Sequence, residues 1–310
     1  MIVYIWYIFF CFRDMKKLIF LFILPFHFYA CQTNETNEDD IRLLNSGVFN
    51  VVQKWSQQPS GYSREVITKV PLQGLKKYPV VIVLHGNGGT ANSFLDKFNY
   101  LNNQIIIAPQ GYLRSWNIKK EKSKAPDIDF IKEIVAHVKQ FDNVDSENIS
   151  ILGSSNGSAL VNQLLIEYDE PYFKKAICKV SQLNTFQYNN NKFWSQSDNF
   201  FNIPSIPKKG RKILCLAGSE DNVANYKGGE GVLGYFFLNA EESAYVFAKA
   251  MGYKGEKISF NLSEEGPNFF FKFSYLDGDV VHYRVEGAGH GFGSLLNNAN
   301  QIIKDFLDNN

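Results

Sequence analysis

The sequence predicts an α/β fold with a mostly parallel sheet and helices on both faces. Residues 79–84, 149–152 and 212–216 are nearly continuous apolar runs, which is typical of strands buried on both sides. An apolar stripe at helical spacing covers residues 127–141, and a helical pattern begins at residue 160. Strands that alternate with helices in this way form parallel neighbours.

Composition limits the classes of function. The chain has 310 residues, of which 45% are hydrophobic and 15% aromatic, enough to bury one large core or two small ones. The formal net charge is only +1, from 32 basic and 31 acidic residues. Because no basic field is present, we predict no nucleic-acid partner.

Residues 1–30 have the layout of a signal peptide. A positive pair, Lys16-Lys17, precedes the apolar run 18–28, and the small residue Ala30 precedes the expected cleavage point. The apolar run is too short to span a membrane comfortably. The alternative is a membrane anchor that uses this run together with the apolar residues 1–12.

The end of this leader predicts both export and a lipid anchor. Met15 is a second candidate start, which would place residues 1–14 upstream of the true protein. The segment Phe28–Cys31 resembles a bacterial lipoprotein cleavage box with Cys31 as the lipid-bearing residue. We therefore expect an extracellular or outer-membrane-anchored protein with a polar tether at 31–50 and a folded domain at 51–310.

The remaining cysteines do not indicate a metal site. Cys178 and Cys215 fall in predicted core strands, without C-x-x-C spacing. In an exported protein these two cysteines could form a disulfide or stay as buried free thiols, and the sequence is compatible with both states. No two histidines have zinc-site spacing, so we predict neither a metal nor a cofactor.

The flanking segments complete the fold prediction. Residues 41–60 are weakly patterned and are expected to form a loop or short helix. Residues 64–70 alternate like an outer antiparallel strand. Residues 269–275 and 280–285 read as a hairpin, and a helix at about 298–307 closes the domain.

A long polar and aromatic segment, residues 181–210, interrupts the alternation of strands and helices. Long irregular segments inside a domain are usually functional or mobile. The segment is interpreted as a wall of a substrate pocket, with an ordered surface insertion as the alternative.

A G-x-S-x-G motif follows the strand at 149–152. Its serine is Ser155, with Gly153 and Gly157 on either side. A nucleophile on a tight strand–turn–helix needs glycines at these positions because side chains would crowd the turn. Ser154 is the weaker candidate, since it lacks glycines at both −2 and +2.

A glycine-rich loop, His85–Ala91, follows the strand at 79–84. Its spacing fits a dinucleotide fingerprint, but the next strand, 104–108, ends without the required carboxylate. It fits better a His-Gly-x-Gly-Gly loop whose backbone N–H groups, at Asn87 or Gly88, bind a developing oxyanion.

Three candidate catalytic residues follow predicted strands in the order Ser155, Asp221 and His290. This is the order of the α/β-hydrolase fold. His290 would accept the serine proton and Asp221 would orient the imidazole. Glu220 is the alternative acid, and the N–H of Asn156 is the second expected oxyanion donor.

Several motifs together resemble the extracellular esterases that include polyhydroxybutyrate depolymerase-like proteins, feruloyl esterases and acetylxylan esterases. They are Leu84–Gly89, Pro109–Gly111 with Ser115–Asn117, Asp127–Ile131, Gly153–Gly157, Gly218–Asp221 with Tyr226–Gly229, and Gly287–His290. The resemblance implies ester hydrolysis through an acyl-enzyme. We expect His85, Trp116, Trp194 and Phe292 to contact the substrate.

The chain also departs from that family. Gly291–Gly293 stands where Trp-Pro is common, and Gly157-Ser158 where Gly-Gly is common. The first hypothesis is a serine esterase acting on feruloyl or acetyl groups of plant polysaccharides. The alternatives are a polyester depolymerase or serine peptidase of the same fold, and a non-catalytic carbohydrate-binding lipoprotein.

Overall fold

A computed structural model describes residues 41–72, 76–167, 173–196 and 200–309. Residues 41–310 form one compact unit. The expected signal peptide, Cys31 with its expected lipid, and the first half of the expected tether, residues 31–40, lie outside the described residues. Within those ranges, no helix combines the length and hydropathy needed to cross a membrane.

The described chain contains fifteen strands and five α-helices. The strands are β1 (Gly47–Trp55), β2 (Gln58–Lys69), β3 (Tyr78–Leu84), β4 (Ile105–Pro109), β5 (Val144–Ser154), β6 (Lys175–Lys179), β7 (Tyr188–Asn189), β8 (Lys192–Ser195), β9 (Ile203–Ser205), β10 (Lys212–Gly218), β11 (Gly229–Glu230), β12 (Phe236–Phe237), β13 (Glu264–Glu265), β14 (Phe270–Tyr275) and β15 (Val280–Val285). The helices are α1 (Ala91–Leu95), α2 (Asp127–Val138), α3 (Asn156–Glu167), α4 (Ala240–Met251) and α5 (Leu296–Asp308).

Ten strands form one sheet in the order β1-β2-β4-β3-β5-β6-β10-β15-β14-β13. The six central strands, from β4 to β15, are parallel, and both margins are antiparallel. The chain leaves β3 for β4 on one side and then crosses to β5 on the other, which makes a topological switch at β3.

Helices cover both faces of the sheet. On one face, α2, α3 and α4 contribute Phe130, Leu160 and Phe247 to the larger core cluster. On the other, α1 and α5 contribute Phe94 and Ile303 to a second cluster. The central strands are therefore apolar on both sides, as their sequence pattern predicted, and the expected layered α/β architecture is confirmed.

One segment differs from the sequence prediction. Residues 47–55 form the edge strand β1, where a loop or short helix was expected. Its alternate residues pack against α2, so tertiary contacts supply what the weak local pattern lacks.

The long segment 181–210 contains a small antiparallel sheet, formed by β7, β8 and β9. This agrees with the alternative of an ordered insertion. The expected hairpin is present as β14 and β15.

A buried ion pair connects the sheet margin to the start of α2. The Arg64 Nη2 atom of β2 lies 2.5 Å from the Asp127 Oδ1 atom, and both side chains are fully buried. The guanidinium also covers the Phe130 ring at 3.6 Å. The other oxygen of Asp127 accepts the Asn117 N–H at 2.6 Å. Burial lowers the pKa of Arg64 and raises that of Asp127, so each group needs the other to stay charged.

Replacing Arg64 by Met should therefore destabilise the fold by about 3–5 kcal/mol, because the Asp127 carboxyl would be left buried without its partner. The free energy of unfolding in urea measures this. Lys257→Met is the matched control, since it removes a half-exposed ion pair with Glu242 and should cost less than about 1 kcal/mol. Equal costs for both variants would contradict this assignment.

Candidate active site

The site forms where four strand ends meet. β3, β5, β10 and β15 are parallel, and each is followed by one of the loops that the sequence singled out. The carboxyl ends of parallel strands share one edge of a sheet, so these loops converge beside the topological switch.

The turn between β5 and α3 presents Ser155. Its φ is +55°, a left-handed conformation that a non-glycine residue adopts only when its surroundings impose it. A Cβ on Gly153 would stand 2.2 Å from the Gly157 carbonyl oxygen, and a Cβ on Gly157 would stand 2.3 Å from the Leu84 carbonyl oxygen. Only glycines allow the three backbones to approach this closely.

The structure brings Ser155, His290 and Asp221 together. The Ser155 Oγ atom lies 2.9 Å from His290 Nε2, and His290 Nδ1 lies 2.8 Å from Asp221 Oδ2. Asp221 Oδ1 accepts the N–H groups of Val223 and Ala224. The acid side chain is 1% exposed and the histidine side chain 27%, so the acid is sheltered while the imidazole reaches the cavity.

The two loops that carry the acid and the histidine are fixed against each other. A Cβ on Gly218 would stand 2.1 Å from the Ala288 carbonyl oxygen, and the Glu220 N–H donates to the same carbonyl. The Glu220 side chain is exposed. The acid that contacts His290 is thus Asp221, the residue that the motif comparison favoured.

Of the expected oxyanion donors, Asn156 and Asn87 face the cavity beside Ser155. Asn156 is the first residue of α3, where N–H groups have no helical partner and the helix dipole favours negative charge. The Gly88 N–H instead donates to the Arg114 carbonyl at 2.7 Å. That bond occupies Gly88, so Asn87 is the donor that the glycine-rich loop can offer.

A cavity of about 240 Å³ opens at Ser155. Its walls are mainly apolar side chains from α3, the loop after β4, and the segment that follows Asp221. The apolar lining residues are Ile118, Ala159, Val223, Ala224, Val232, Leu233 and Phe237. Such a cavity can bind an apolar group and leaves little room for water beside it.

Glu121 is a cavity residue that the sequence did not single out. Its buried carboxylate accepts the Ile118 and Lys119 N–H groups and the Tyr235 hydroxyl, at 2.9–3.0 Å. It also accepts the Asn156 side-chain amide at 3.2 Å. One side chain thus connects three segments distant in sequence. The local sequence around Glu121 does not predict this linking role, because the role depends on which distant loops come together in the fold.

His85 and Trp116 do not contact the cavity, contrary to expectation. Both are fully buried. His85 Nε2 accepts the Gly111 N–H at 3.0 Å, its Nδ1 lies 2.8 Å from the Gly86 carbonyl, and burial lowers its pKa. The Trp116 indole donates to the His85 carbonyl at 2.7 Å. The two side chains instead join the loops after β3 and β4.

Phe292 and Trp194 were also expected to contact the substrate, but neither lines the cavity. Phe292 is buried in the second core cluster, with the Lys179 ammonium 5.3 Å from its ring centre. Trp194 lies in β8, and its indole faces the Asn189 carbonyl. From the segment 181–210, the cavity receives Ser181 and Asn184 instead.

A buried histidine supports the acid loop. The Tyr226 hydroxyl donates to the Glu241 carboxylate, and His282 Nε2 lies 3.0 Å from the same hydroxyl. With that proton committed to Glu241, His282 must donate from Nε2. Burial lowers the pKa of His282 to about 3, so the imidazole is neutral at ordinary pH.

The two core cysteines are free thiols. Cys178 and Cys215 face each other across the parallel pair β6 and β10, and the Cys178 thiol lies 3.1 Å from the Asn162 side-chain oxygen. In the part of the chain that the structure describes, no cluster of three His, Cys, Asp or Glu side chains is arranged to hold a metal ion.

Solved structures confirm the α/β-hydrolase fold. An acetyl xylan esterase from Aspergillus awamori superposes with a TM-score of 0.55 at 15% identity, over 79% of this chain and 94% of that one. A carboxylesterase from Bacillus cereus gives 0.51 at 15% identity, over 79% and 93%. The strand order and the four converging loops agree with this assignment.

Sequence relatives are distant. No protein-family model matches the chain. A probable acetylxylan esterase A of Neosartorya fischeri is 24% identical over 207 residues, which is 63% of this chain and 55% of the relative. The protein of the same name in Aspergillus fumigatus is 22% identical over 209 residues, 62% and 55%. The matched part thus spans about half the length of these relatives.

The His282 environment predicts acid sensitivity. The unfolded chain binds a proton at His282 near pH 6.5, whereas the folded chain does so only near pH 3. The free energy of unfolding should therefore fall as the pH decreases from about 6.5 towards 3. Urea denaturation between these limits should show a shallower decline for His282→Leu. Identical declines in both proteins would show that His282 contributes no pH dependence.

Proposed function

We propose that the protein is a serine hydrolase acting on carboxylic esters. The observation that carries the proposal is the hydrogen-bonded series Ser155–His290–Asp221 at 2.9 and 2.8 Å, set at the mouth of an apolar cavity. A nucleophile, a base and an orienting acid in this geometry are the parts that acyl transfer requires.

The first half of the proposed reaction forms an acyl-enzyme. Ser155 Oγ attacks the ester carbonyl carbon while His290 Nε2 takes its proton. The Asn156 and Asn87 N–H groups hold the oxyanion, and Asp221 stabilises the imidazolium. When the intermediate collapses, the carbon–oxygen bond of the ester breaks and His290 returns the proton to the departing alcohol.

The second half releases the acid. A water molecule gives a proton to His290 and attacks the acyl carbon, and the oxyanion forms again between the same two N–H groups. The proton then returns to Ser155 Oγ as the acyl–serine bond breaks. The Glu121 contact with the Asn156 side chain keeps the start of α3 in place through both halves.

The proposed substrates are acetyl or feruloyl esters of plant polysaccharides. Similarity to probable acetylxylan esterases supports this class. The cavity of about 240 Å³ exceeds the space that an acetyl group fills, so a planar aromatic acyl group is included in the proposal. The apolar walls suit either group.

Export and lipid attachment are also proposed, from the leader sequence. The positive pair Lys16-Lys17, the short apolar run after it and the position of Cys31 support them. A protein acting on a polymer outside the cell needs such a route. Metabolic labelling with a radioactive fatty acid tests it, because Cys31→Ala should abolish the label.

Replacing Ser155 by Ala should abolish ester hydrolysis, because the nucleophile is lost while the oxyanion donors remain. We expect kcat/KM for p-nitrophenyl acetate and methyl ferulate to fall by at least about 10³-fold. Ser154→Ala is the matched control, since it removes the neighbouring hydroxyl and should retain most activity. An active Ser155→Ala variant would refute the proposed nucleophile, and a folded but inert wild type would favour a non-catalytic protein.

Replacing Ala159 by Leu should separate the two acyl classes. Ala159 lines the cavity from α3, so a larger side chain reduces the space for a long acyl group. We expect the ratio of kcat/KM for methyl ferulate to that for p-nitrophenyl acetate to fall about tenfold. Leu233→Ala removes bulk from the exposed rim and should not lower that ratio. An unchanged ratio in Ala159→Leu would place the acyl group elsewhere.

A further inference from the structure

The hairpin of β1 and β2 extends past the sheet on the side of the active site. β2 runs from Gln58 to Lys69 but pairs with β4 only through residues 66–69, and Val66 lies opposite Pro109, the last residue of β4. The preceding residues of β2 pair with β1 alone. The hairpin therefore projects roughly 20 Å beyond the carboxyl edge of the sheet.

The projecting hairpin and the loop after β4 together form an aromatic cluster. The rings of Trp55, Tyr62 and Tyr112 meet edge to face, with centroids 4.9–5.9 Å apart. Tyr62 is 40% exposed, and the other two are partly exposed. We call these three residues the aromatic platform. Such rings offer apolar faces to a ligand together with polar groups at their edges.

A polar groove of about 330 Å³ continues from the platform. Its lining residues include Trp55, Lys124, Asp129 and Glu167. Because both cationic and anionic side chains line it, a ligand of either net charge would meet repulsion as well as attraction. A neutral ligand rich in hydroxyl groups can instead form hydrogen bonds with charged groups of either sign.

The polar groove and the catalytic cavity share one wall, the loop 112–124. Ile118 and Glu121 line the cavity, whereas Asn117 and Lys124 line the groove. The hairpin is fixed to this loop, since the Gln57 side chain donates to the Lys122 carbonyl and accepts the Lys124 N–H. The two sites therefore lie on either side of one loop.

We propose that the aromatic platform and the polar groove bind the carbohydrate backbone of the substrate beyond the esterified sugar. The ligand is a neutral polysaccharide chain, whose sugar rings stack on the platform and whose hydroxyls bond in the groove. Its chemical class rests on the proposed polysaccharide-ester activity. Binding at this second site holds the polymer while the ester enters the cavity.

Binding is tested on a Ser155→Ala background with xylohexaose, a neutral sugar chain that carries no ester. Trp55→Ala and Tyr62→Ala, made separately, should each weaken binding about tenfold by isothermal titration calorimetry. Tyr62 is partly exposed, so its variant tests the proposal even if Trp55→Ala fails to fold. Phe260→Ala is the matched control, because Phe260 is 39% exposed near the opposite margin of the sheet.

Two results would overturn the proposal: a Ser155→Ala protein that does not bind xylohexaose, or folded platform variants that bind it as tightly as their parent. Tighter binding of hexagalacturonate, an anionic chain, would likewise contradict the neutral-ligand assignment. These results distinguish a failure of the second site from a failure of the proposed function. If the wild type hydrolyses esters but the Ser155→Ala protein does not bind xylohexaose, only the second binding site is refuted. If xylohexaose binds but the wild type hydrolyses no ester, only the esterase assignment is refuted.

Discussion

The close crossing of backbones at the serine turn is the constraint on which the rest of the site depends. Gly157 lies so near the end of β3 that a Cβ would stand 2.3 Å from the Leu84 carbonyl oxygen. This contact fixes where α3 begins and holds Ser155 at a positive φ. Ser155 and Asn156 therefore line the same cavity, and the loops that carry Asp221 and His290 meet them there.

Buried polar side chains hold those loops in place. His85, Trp116 and Glu121 lie in the loops around Ser155, and each forms hydrogen bonds with neighbouring backbone groups. A partly satisfied network in such a site would cost stability and allow the loops to shift. The arrangement of Ser155, His290 and Asp221 is thus supported by polar groups that hydrogen-bond within the protein, as in preorganised sites.

Most of the fold and the three central site residues could be predicted because their signals are local. β3, β5 and β10 are buried on both faces, and such strands require continuous apolar runs. The motif at Ser155 is equally local, since the turn cannot form without its glycines. The edge strand β1 was not predicted because only Val51 and Gln53 of its nine residues are buried, and packing against α2 decides its conformation.

The sequence by itself determined the layered α/β architecture, the order Ser155–Asp221–His290 and the glycines that shape the turn, because each strand and the motif that follows it can be recognised from adjacent residues. The tertiary structure alone decided which aromatic residues face the cavity. Phe292 packs within the second core cluster, whereas Phe237, the last residue of β12, belongs to the larger core cluster and also lines the cavity. Only the packing of distant segments determines whether such a ring reaches the cavity.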